Sequence, residues 1–597
     1  MSDISIKPHQ KELFGHPIGL YVLFFTEMWE RFSYYGMRAL LVLYISSTVG
    51  DGGLGWTKAS AIELYGWYTM LVYVMSIPGG IIADKFLGQK KSVMYGAAIL
   101  VLGHGILAVE EMWAFYTGLA LIIFGVGMLK PNISTMVGGL YKSGDVRRDK
   151  GFTIFYIGIN IGAFLSAIIV GYVGETYGWH YGFGLAGVGM LFGLFVYIKG
   201  QKYLAHVGDF IGNSSSSKDK ELMSKPLTKI EKDRVLVLII SFLIIIVFWG
   251  AFEQAGGLLN IYANEKIDRN IFGFVMPATW FQSFNALFIV LFGTFVAGFW
   301  AKRKLKGKET STLLKMGLGT IIMGLGFLVM VGASKEAGSL ECGTASFWWL
   351  TTAYLLHTIG ELFASPTALS FITKLSPVKY ASIMMGVYFA ATGFGNKLAG
   401  SIGEASQSEP IRIEFVAQAS DVAQYNSADT LIAIDKGFKI KSNIYIENGE
   451  FIATNYEDGS DLKNLFDFAV ETKGLTADKI NELQTEKENE IILVLNEYEA
   501  TKENPLHASF KFEKDGEAVK VKVNKGDGKN YEGQFIIEEV QNEKEYNIFL
   551  FIFILTLVFG LLVILLLKPL KRLTHGAEDN EVEMHNDETE GFELADD

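Results

Sequence analysis

Four ionisable side chains stand within the first long apolar segment of the chain: Glu27, Glu30, Arg31 and Arg38. A carboxylate or guanidinium at bilayer depth costs about 2.5–3.5 kcal/mol on insertion scales, so such groups normally face a water-filled cavity and one another. Glu27, Arg31, Tyr34 and Arg38 recur at helical spacing, which places them along one face of a helix. The pattern indicates a pathway for a charged solute, with carboxylates suited to carrying protons.

The rest of the chain supplies the helices that position these groups. Half of the 597 residues are hydrophobic and 19% are charged, with 65 Gly and 44 Phe, which is too apolar for a soluble multidomain protein. Hydropathy predicts about twelve spans long enough to cross a hydrocarbon core, at residues 18–48, 58–84, 92–110, 113–137, 151–174, 180–200, 234–263, 271–301, 311–333, 346–373, 380–403 and 546–567. The sequence therefore predicts an all-α polytopic membrane protein.

Basic residues predict the orientation. Clusters of lysine and arginine follow every second predicted span, so they all fall on one side of the membrane, which the positive-inside rule identifies as cytoplasmic. We expect a multi-pass protein of the cell (inner) membrane with both termini in the cytoplasm.

A stretch between the last two spans, 404–545, has a different pattern. Short runs alternate apolar and polar residues in period two, as strands do, at 411–416, 430–434, 509–512 and 519–523. One helical patch covers 476–490. We expect a small, mainly β, extracytoplasmic domain with no enzymatic motif, whose partner the sequence does not indicate.

Composition excludes several chemistries. Cys342 is the single cysteine, so no intrachain disulfide can form, and no Cys/His cluster indicates a metal site. No nucleotide-binding loop is present, which excludes direct coupling to ATP hydrolysis. We expect no enzymatic activity, no nucleic-acid partner and no cofactor, with the proton as coupling ion and the lipid bilayer as surroundings.

Six motifs occur in an order that is typical of one transporter family. They are Glu27-x-x-Glu30-Arg31-Phe32-x-Tyr34-Tyr35-Gly36, the stretch Gly80 to Lys91, Gly125-x-Gly127-x-x-Lys130-Pro131-Asn132, the stretch Phe152 to Phe164, Phe252-Glu253-Gln254, and Gly360-Glu361-Leu362 followed by Ser365-Pro366. The chain resembles the proton-dependent oligopeptide transporter (POT/PTR) family of the major facilitator superfamily over all its spans, but not over 404–545. The resemblance implies two six-helix bundles.

This organisation predicts the domain boundaries. We expect an N-terminal six-helix bundle at 1–200, a cytoplasmic linker at 201–233, helices 7–11 of a C-terminal bundle at 234–403, the β insert at 404–545, helix 12 with a basic end at 546–575, and an acidic tail at 576–597. The tail has too much charge to bury a core, so we expect it to be disordered in the cytoplasm.

The charges suit a peptide as substrate. A di- or tripeptide is a zwitterion with two charged ends and variable side chains, so its carrier should hold the ends by charge and leave a roomy pocket. Arg31, Arg38 and Lys130 are cations that can meet the carboxylate, and Glu361 is the carboxylate best suited to the ammonium.

The resemblance adds further binding residues. It implies that Asn160 and Asn285 hydrogen-bond the peptide and that aromatic side chains line the pocket, at Tyr34, Tyr35, Tyr73 and Trp249. Many relatives have tryptophan at the position of Tyr388, so we expect a wider or more polar pocket here.

Proton coupling requires a carboxylate whose proton affinity differs between two conformations. Glu27 and Glu30 flank Arg31, with Lys130 within reach, and we expect them to exchange partners when one is protonated. Animal relatives carry a histidine where this chain has Gly66, so coupling here must rest on carboxylates.

Two conformational features complete the resemblance. It implies a gate between Arg38 and Glu253, with Glu265 and Asp268 as rival carboxylates. The stretch Gly80 to Lys91, called the loop motif below, recurs in carriers of unrelated substrates. We therefore expect it to stabilise a contact between helices on the cytoplasmic side rather than to bind substrate. Its conformational residues are Gly80, Asp84, Gly88, Lys90 and Lys91.

These features predict a proton-coupled symporter that imports di- and tripeptides by alternating access. Two alternatives remain open: a peptide sensor or receptor on a transporter fold, and a proton-coupled carrier of another small anion such as nitrate. A sensor would not need the proton-coupling motif Glu27–Arg31. Nitrate has no ammonium group, so a nitrate carrier would not need Glu361.

Overall fold

The structure is a computed structural model. It describes residues 11–47, 52–141, 145, 147–204, 207–209, 227–339, 344–377, 381–407, eight strands between 411 and 539, and residues 542–577. The chain divides into two compact units, one comprising residues 1–40, 64–401 and 546–597, the other 41–63 and 402–545.

The first half of the membrane region is helical. Its helices are α1 Ile18–Ser46, α2 Lys58–Val74, α3 Ser76–Ile82, α4 Gln89–Leu107, α5 Met112–Gly139, α6 Arg147–Tyr177 and α7 Trp179–Gly200. A π-helical turn, Ala83–Leu87, continues α3. Gly88 follows with a φ of 76°, in the left-handed region that favours glycine, and redirects the chain into α4.

The second half follows the linker. Its helices are α8 Lys229–Phe252, α9 Leu258–Glu265, α10 Ser283–Leu305, α11 Thr312–Ser339, α12 Phe347–Leu375, α13 Ala381–Ala405, α14 Asn542–Leu565 and α15 Leu567–Leu573. Thr228 and Glu231 form a capping box at the start of α8. A 3-10 turn, Glu253–Gly256, separates α8 from α9, and a second, Ala278–Gln282, leads into α10.

Fourteen strands are described, of which the first six have two residues each. They are β1 Glu12–Leu13, β2 His16–Pro17, β3 Ile267–Asp268, β4 Asn270–Ile271, β5 Phe274–Val275, β6 Ala345–Ser346, β7 Ile411–Glu414, β8 Val416–Gln418, β9 Phe438–Glu447, β10 Glu450–Asn455, β11 Leu506–Asp515, β12 Ala518–Asn524, β13 Asn530–Glu532 and β14 Gln534–Glu539. Strands β7 to β14 form one eight-stranded sheet in the order β10-β9-β11-β12-β13, with β14 pairing β11 and β7, and β8 pairing β12.

The β character expected of the insert is present in this sheet. The runs predicted at 411–416, 509–512 and 519–523 lie in β7 and β8, in β11 and in β12. The run 430–434, the helical patch 476–490 and the tail from 578 onwards lie outside the described residues.

The helices confirm the all-α polytopic membrane fold. Eight segments of the described chain are long and apolar enough to cross a membrane. Helix α1 is not among them, since it carries the four ionisable side chains that the sequence singles out.

Two predicted helix starts differ from the structure, and one predicted span contains a turn. The span 271–301 starts in the hairpin of β4 and β5, where Gly273 has a φ of 87°, and its α-helix begins only at Ser283. Helix α8 starts at Lys229, inside the predicted linker 201–233, because of the cap at Thr228. The span 234–263 is interrupted by the 3-10 turn that begins at Glu253.

Glycines set the distance between helices around the centre of the membrane region. A Cβ atom on Gly79 of α3 would lie 2.0 Å from the carbonyl oxygen of Gly127 in α5. A Cβ atom on Gly66 of α2 would lie 2.8 Å from the Cα atom of Gly400 in α13. Larger residues would force these helices apart, so the glycines allow α2 and α3 to bring their side chains close to both halves.

Candidate functional site

A cavity of about 1610 Å³ lies between the two halves of the membrane region. It reaches Gln89, Arg148 and Gly208. These residues mark the ends of the helices nearest the linker 201–233, called the linker end below. Arg38 and Glu253 line its other limit. Since α8 has 24 residues and rises about 1.5 Å per residue, Glu253 lies about 36 Å along the helix axis from Lys229 at the linker end.

Most of the predicted site residues line this cavity. They are Glu27, Arg31, Tyr35, Arg38, Tyr73, Gly80, Asp84, Lys130, Asn160, Trp249, Glu253, Asn285, Glu361 and Tyr388. Glu30 and Tyr34 are buried behind the wall formed by α1, with the Tyr34 ring 5.4 Å from that of Tyr35. Helical spacing therefore places the α1 residues close together, and the tertiary packing decides which of them face the cavity.

Glu27 and Glu30 share one cation. Arg31 Nε lies 3.0 Å from Glu27 Oε1 and 2.5 Å from Glu30 Oε2, and Glu30 has 0% of its side chain exposed. The Arg31 Nε–H group makes no hydrogen bond to either carboxylate, and both Glu30 oxygens lack a hydrogen-bond partner among the described residues. The cluster thus has two carboxylates for one guanidinium, an arrangement in which a proton can relieve the excess negative charge.

Lys130 is positioned by α5 and contacts an aromatic ring. Its Nζ atom lies 3.7 Å from the centre of the Tyr73 ring, a cation–π distance. Among the described residues, no carboxylate oxygen lies within 4.0 Å of this ammonium. Lys130 is therefore a cation of the cavity wall without a contact ion pair there.

Arg38 and Glu253 connect the two halves at the limit of the cavity. Arg38 Nη1 lies 2.5 Å from Glu253 Oε1, and the guanidinium lies over the Tyr35 ring at 4.8 Å. The Tyr65 hydroxyl donates to the same Glu253 oxygen over 2.7 Å. The sequence predicted the first two residues of this cluster and missed Tyr65.

Glu361 is held by a neighbour that was predicted to contact the substrate. Asn285 Nδ2 donates to Glu361 Oε2 over 2.7 Å and to Thr358 Oγ1 over 3.2 Å. Asn285 thereby orients the carboxylate that faces the cavity. Asn160 also lines the cavity, and its amide donates to the carbonyl oxygen of Tyr156 one turn earlier.

A second contact between the halves involves Glu175 of α6, which sequence reasoning also missed. Its carboxylate accepts hydrogen bonds from the backbone N–H groups of Ala278 and Thr279 and from the Thr279 hydroxyl. Arg269 Nη1 lies 3.6 Å from this carboxylate; burial lowers the pKa of Arg269, and Glu175 opposes that shift. Because the 3-10 turn Ala278–Gln282 presents free N–H groups, a carboxylate there acts as a cap.

The loop motif lies at the linker end. Gly80 and Asp84 line the cavity, Lys91 is exposed, and Lys90 Nζ lies 2.9 Å from Asp209 Oδ1. The Lys90 N–H also donates to the carbonyl oxygen of Gly208. In the structure Lys90 of the motif thus contacts the chain that follows α7.

Comparison with known proteins assigns the family. The profile of the POT family (PTR2) matches residues 90–223 and 214–417, which together span more than half of the chain. The chain belongs to the POT family. The fold is of the major facilitator type. Because POT-family proteins are transporters, this POT protein is a multi-pass membrane transporter and not an enzyme.

Several relatives are similar along most of their own length. An uncharacterized transporter of Bacillus subtilis, YclF, is 38% identical over 64% of this POT protein and 86% of its own chain. The peptide transporter YePEPT of Yersinia enterocolitica is 35% identical over 66% and 89%. A di-/tripeptide transporter of Lactococcus lactis subsp. cremoris is 36% identical over 65% and 89%.

Solved structures of POT transporters are similar as well. A peptide transporter in complex with sulfate is 34% identical with a TM-score of 0.62, over 66% of this POT protein and 90% of that chain. A mutant of a peptide transporter in complex with alafosfalin matches with the same TM-score and coverage. A POT-family transporter in complex with 5-aminolevulinic acid is 33% identical with a TM-score of 0.61, over 66% and 91%.

Proposed function

We propose that this POT-family transporter imports di- and tripeptides together with protons by alternating access. One observation carries the proposal: a single cavity is lined by the cations Arg31, Arg38 and Lys130 from the first half and by the carboxylate of Glu361 from the second. The names of the Yersinia and Lactococcus relatives, which are peptide and di-/tripeptide transporters, support a peptide as the substrate.

The cavity fits a short zwitterion. An extended tripeptide spans about 10–11 Å, which a cavity of about 1610 Å³ accommodates. The peptide carboxylate would meet Lys130 and the arginines, and the ammonium would meet Glu361, whose carboxylate Asn285 orients. Variable side chains would lie against the aromatic wall formed by Tyr73, Trp249 and Tyr388.

Proton coupling is assigned to the cluster of Glu27, Glu30 and Arg31. When Glu30 takes up a proton, Arg31 loses one of its two carboxylate partners and becomes available to the peptide carboxylate at the cavity wall. A pH difference of one unit supplies about 1.4 kcal/mol per proton, and 100 mV supplies about 2.3 kcal/mol per charge. Together these gradients are sufficient to concentrate a peptide. No further cofactor is required.

The positions at which the two halves touch support alternating access. The cavity reaches the linker end, while Arg38 with Glu253, and Glu175 with the start of the 3-10 turn at Ala278, join the halves away from it. We assign the linker end to the cytoplasm from the basic loops, which places both termini inside and 404–545 outside. The structure then corresponds to an inward-facing state.

The test is uptake of a labelled dipeptide into proteoliposomes with and without an inward proton gradient. We expect accumulation only with the gradient, and less of it as the external pH approaches the internal pH. Glu30→Gln should abolish the accumulation and leave exchange of peptide for peptide measurable, because the amide cannot release a proton.

A substitution at the exposed Glu110 provides the control, and Glu110→Gln should accumulate peptide as the wild type does. Gradient-driven accumulation at the wild-type rate by Glu30→Gln would remove Glu30 from the coupling mechanism. Binding of dipeptide without any uptake would favour a sensor, and gradient-driven uptake of nitrate in place of dipeptide would favour an anion carrier.

A further inference from the structure

Tyr65 is a third member of the contact between Arg38 and Glu253. Its O–H group donates to Glu253 Oε1 over 2.7 Å, and Arg38 Nη1 lies 2.5 Å from that same oxygen. Tyr65 lies on α2 and Arg38 on α1, both in the first half, whereas Glu253 begins the 3-10 turn of the second half. One oxygen atom of the second half is therefore held by two residues of the first.

The burial of Tyr65 and the absence of a side chain at Gly256 both favour the hydrogen bond from the Tyr65 hydroxyl to Glu253. The side chain is 1% exposed, so its hydroxyl needs a protein partner. A Cβ atom on Gly256 would lie 1.9 Å from the Tyr65 hydroxyl oxygen. Gly256 follows Glu253 by three residues in the same turn, and its lack of a side chain makes room for the phenol beside the carboxylate.

Tyr65 and Arg38 hold Glu253 in different ways. Arg38 has a long, flexible side chain that lines the cavity, and its Nε atom has no hydrogen-bond partner among the described residues. The Tyr65 phenol is neutral and has only two side-chain torsions. A hydroxyl donates to a carboxylate and can accept from a protonated carboxyl group, so the two side chains can stay hydrogen-bonded in either protonation state of Glu253, most strongly when it is ionised.

We propose that Tyr65 is a positioning residue that holds Glu253 against the first half and keeps the cavity closed at the limit away from the linker end. If a peptide carboxylate draws Arg38 away, Tyr65 still occupies Glu253 Oε1. Opening of that end then requires the Tyr65–Glu253 hydrogen bond to break. The inference rests on the proposed function in two respects: the limit away from the linker end is taken to face outside, and its opening is taken to be a step of transport.

The experiment measures access to the cavity without using peptide or protons. Ala163 lines the cavity, and Ala163→Cys in a Cys342→Ser background provides a single thiol there. A membrane-impermeant maleimide added outside intact cells reaches this thiol only when the outer end opens. Tyr65→Phe should raise the labelling rate roughly tenfold, since it removes a hydrogen bond to a charged group.

Tyr68→Phe is the matched control. Tyr68 lies one turn further on α2, is 2% exposed, and its hydroxyl has no hydrogen-bond partner among the described residues, so labelling should stay at the wild-type rate. Wild-type labelling in Tyr65→Phe, or an equal increase in Tyr68→Phe, would overturn the proposal.

Gly256→Ala tests the same contact from the other side. Its new Cβ atom should displace the Tyr65 hydroxyl and raise labelling as Tyr65→Phe does; a folded Gly256→Ala protein with wild-type labelling would contradict the assigned role.

In dipeptide uptake, Tyr65→Phe should lower the KM for external peptide and also lower kcat, because the outer end opens more readily and closes less often. Absence of dipeptide uptake in the wild type would refute the proposed function and leave the labelling result valid.

Discussion

At the scale of single residues, the carboxylate of Glu361 is the group most directly matched to one end of the proposed substrate. It faces the cavity from α12 and accepts a hydrogen bond from Asn285 Nδ2. Asn285 donates at the same time to Thr358, so the carboxylate is held in one orientation. A carboxylate oriented in this way favours a cation that arrives with a fixed geometry, as the ammonium of a peptide does.

Glu361→Gln should weaken binding of dipeptides with a free N-terminus by about 10- to 150-fold, because a hydrogen bond to a charged partner contributes about 1.5–3 kcal/mol. N-acetylated dipeptides have no ammonium and should lose little affinity. Competition against a labelled dipeptide measures both classes on the same protein. An equal loss for both would show that Glu361 acts in packing or proton transfer instead.

At the scale of elements, two adjacent glycines of α3 have opposite surroundings. A Cβ atom on Gly79 would meet the carbonyl oxygen of Gly127 at 2.0 Å, whereas a Cβ atom on Gly80 would meet nothing within 4 Å. Helix α3 therefore approaches α5 through Gly79 and turns Gly80 towards the cavity. This approach brings the α3 segment beside Lys130 of α5.

Gly79→Ala should destabilise the protein by about 1–3 kcal/mol, the usual cost of forcing extra volume into a packed contact. Gly80→Ala should leave stability unchanged or raise it by about 0.5–1 kcal/mol, because alanine favours the helix and has space there. Thermal unfolding of the two variants in detergent provides the comparison. Equal unfolding temperatures would mean that α3 and α5 do not meet as closely as described.

At the scale of the whole molecule, the predicted site residues and the sheet of the insert belong to different compact units. The family match ends at residue 417, and the sheet formed by β7 to β14 lies in the second compact unit. The predicted site residues all lie in the first unit. All of these predicted site residues precede the insert in the chain.

Replacing 408–541 with a Gly/Ser linker of about 12 residues, which has a root-mean-square span of about 17–21 Å, should preserve proton-driven dipeptide uptake per folded molecule. The cut keeps the whole of α13 and α14. Uptake is normalised to the amount of monodisperse protein in detergent, so that reduced expression is not counted as lost activity. Lost transport or an altered peptide preference in a folded deletion protein would make the insert part of the carrier.

The sequence by itself determined the helical membrane fold, the family and fourteen of the residues that line the cavity. Apolar runs separated by basic loops define a polytopic helical protein, since a backbone in lipid must satisfy its own hydrogen bonds. The motifs around Glu27, Lys130 and Glu361 are local in the chain, and helical periodicity links neighbouring residues to a shared face. The apolar runs and the local motifs each depend on residues that are close in the chain, so both can be recognised without a structure.

Only the tertiary structure decided which residues from different helices meet. Tyr65 joins Glu253 across a separation of 188 residues, and Glu175 caps a turn 103 residues later, and no local pattern encodes either contact. The same holds for the breaks at Glu253 and before Ser283, where turn geometry overrides a continuous apolar run. Glu30 and Tyr34 share the helix of Arg31, yet packing against other helices buries them behind the cavity wall, because side-chain orientation relative to distant elements is set by the whole fold.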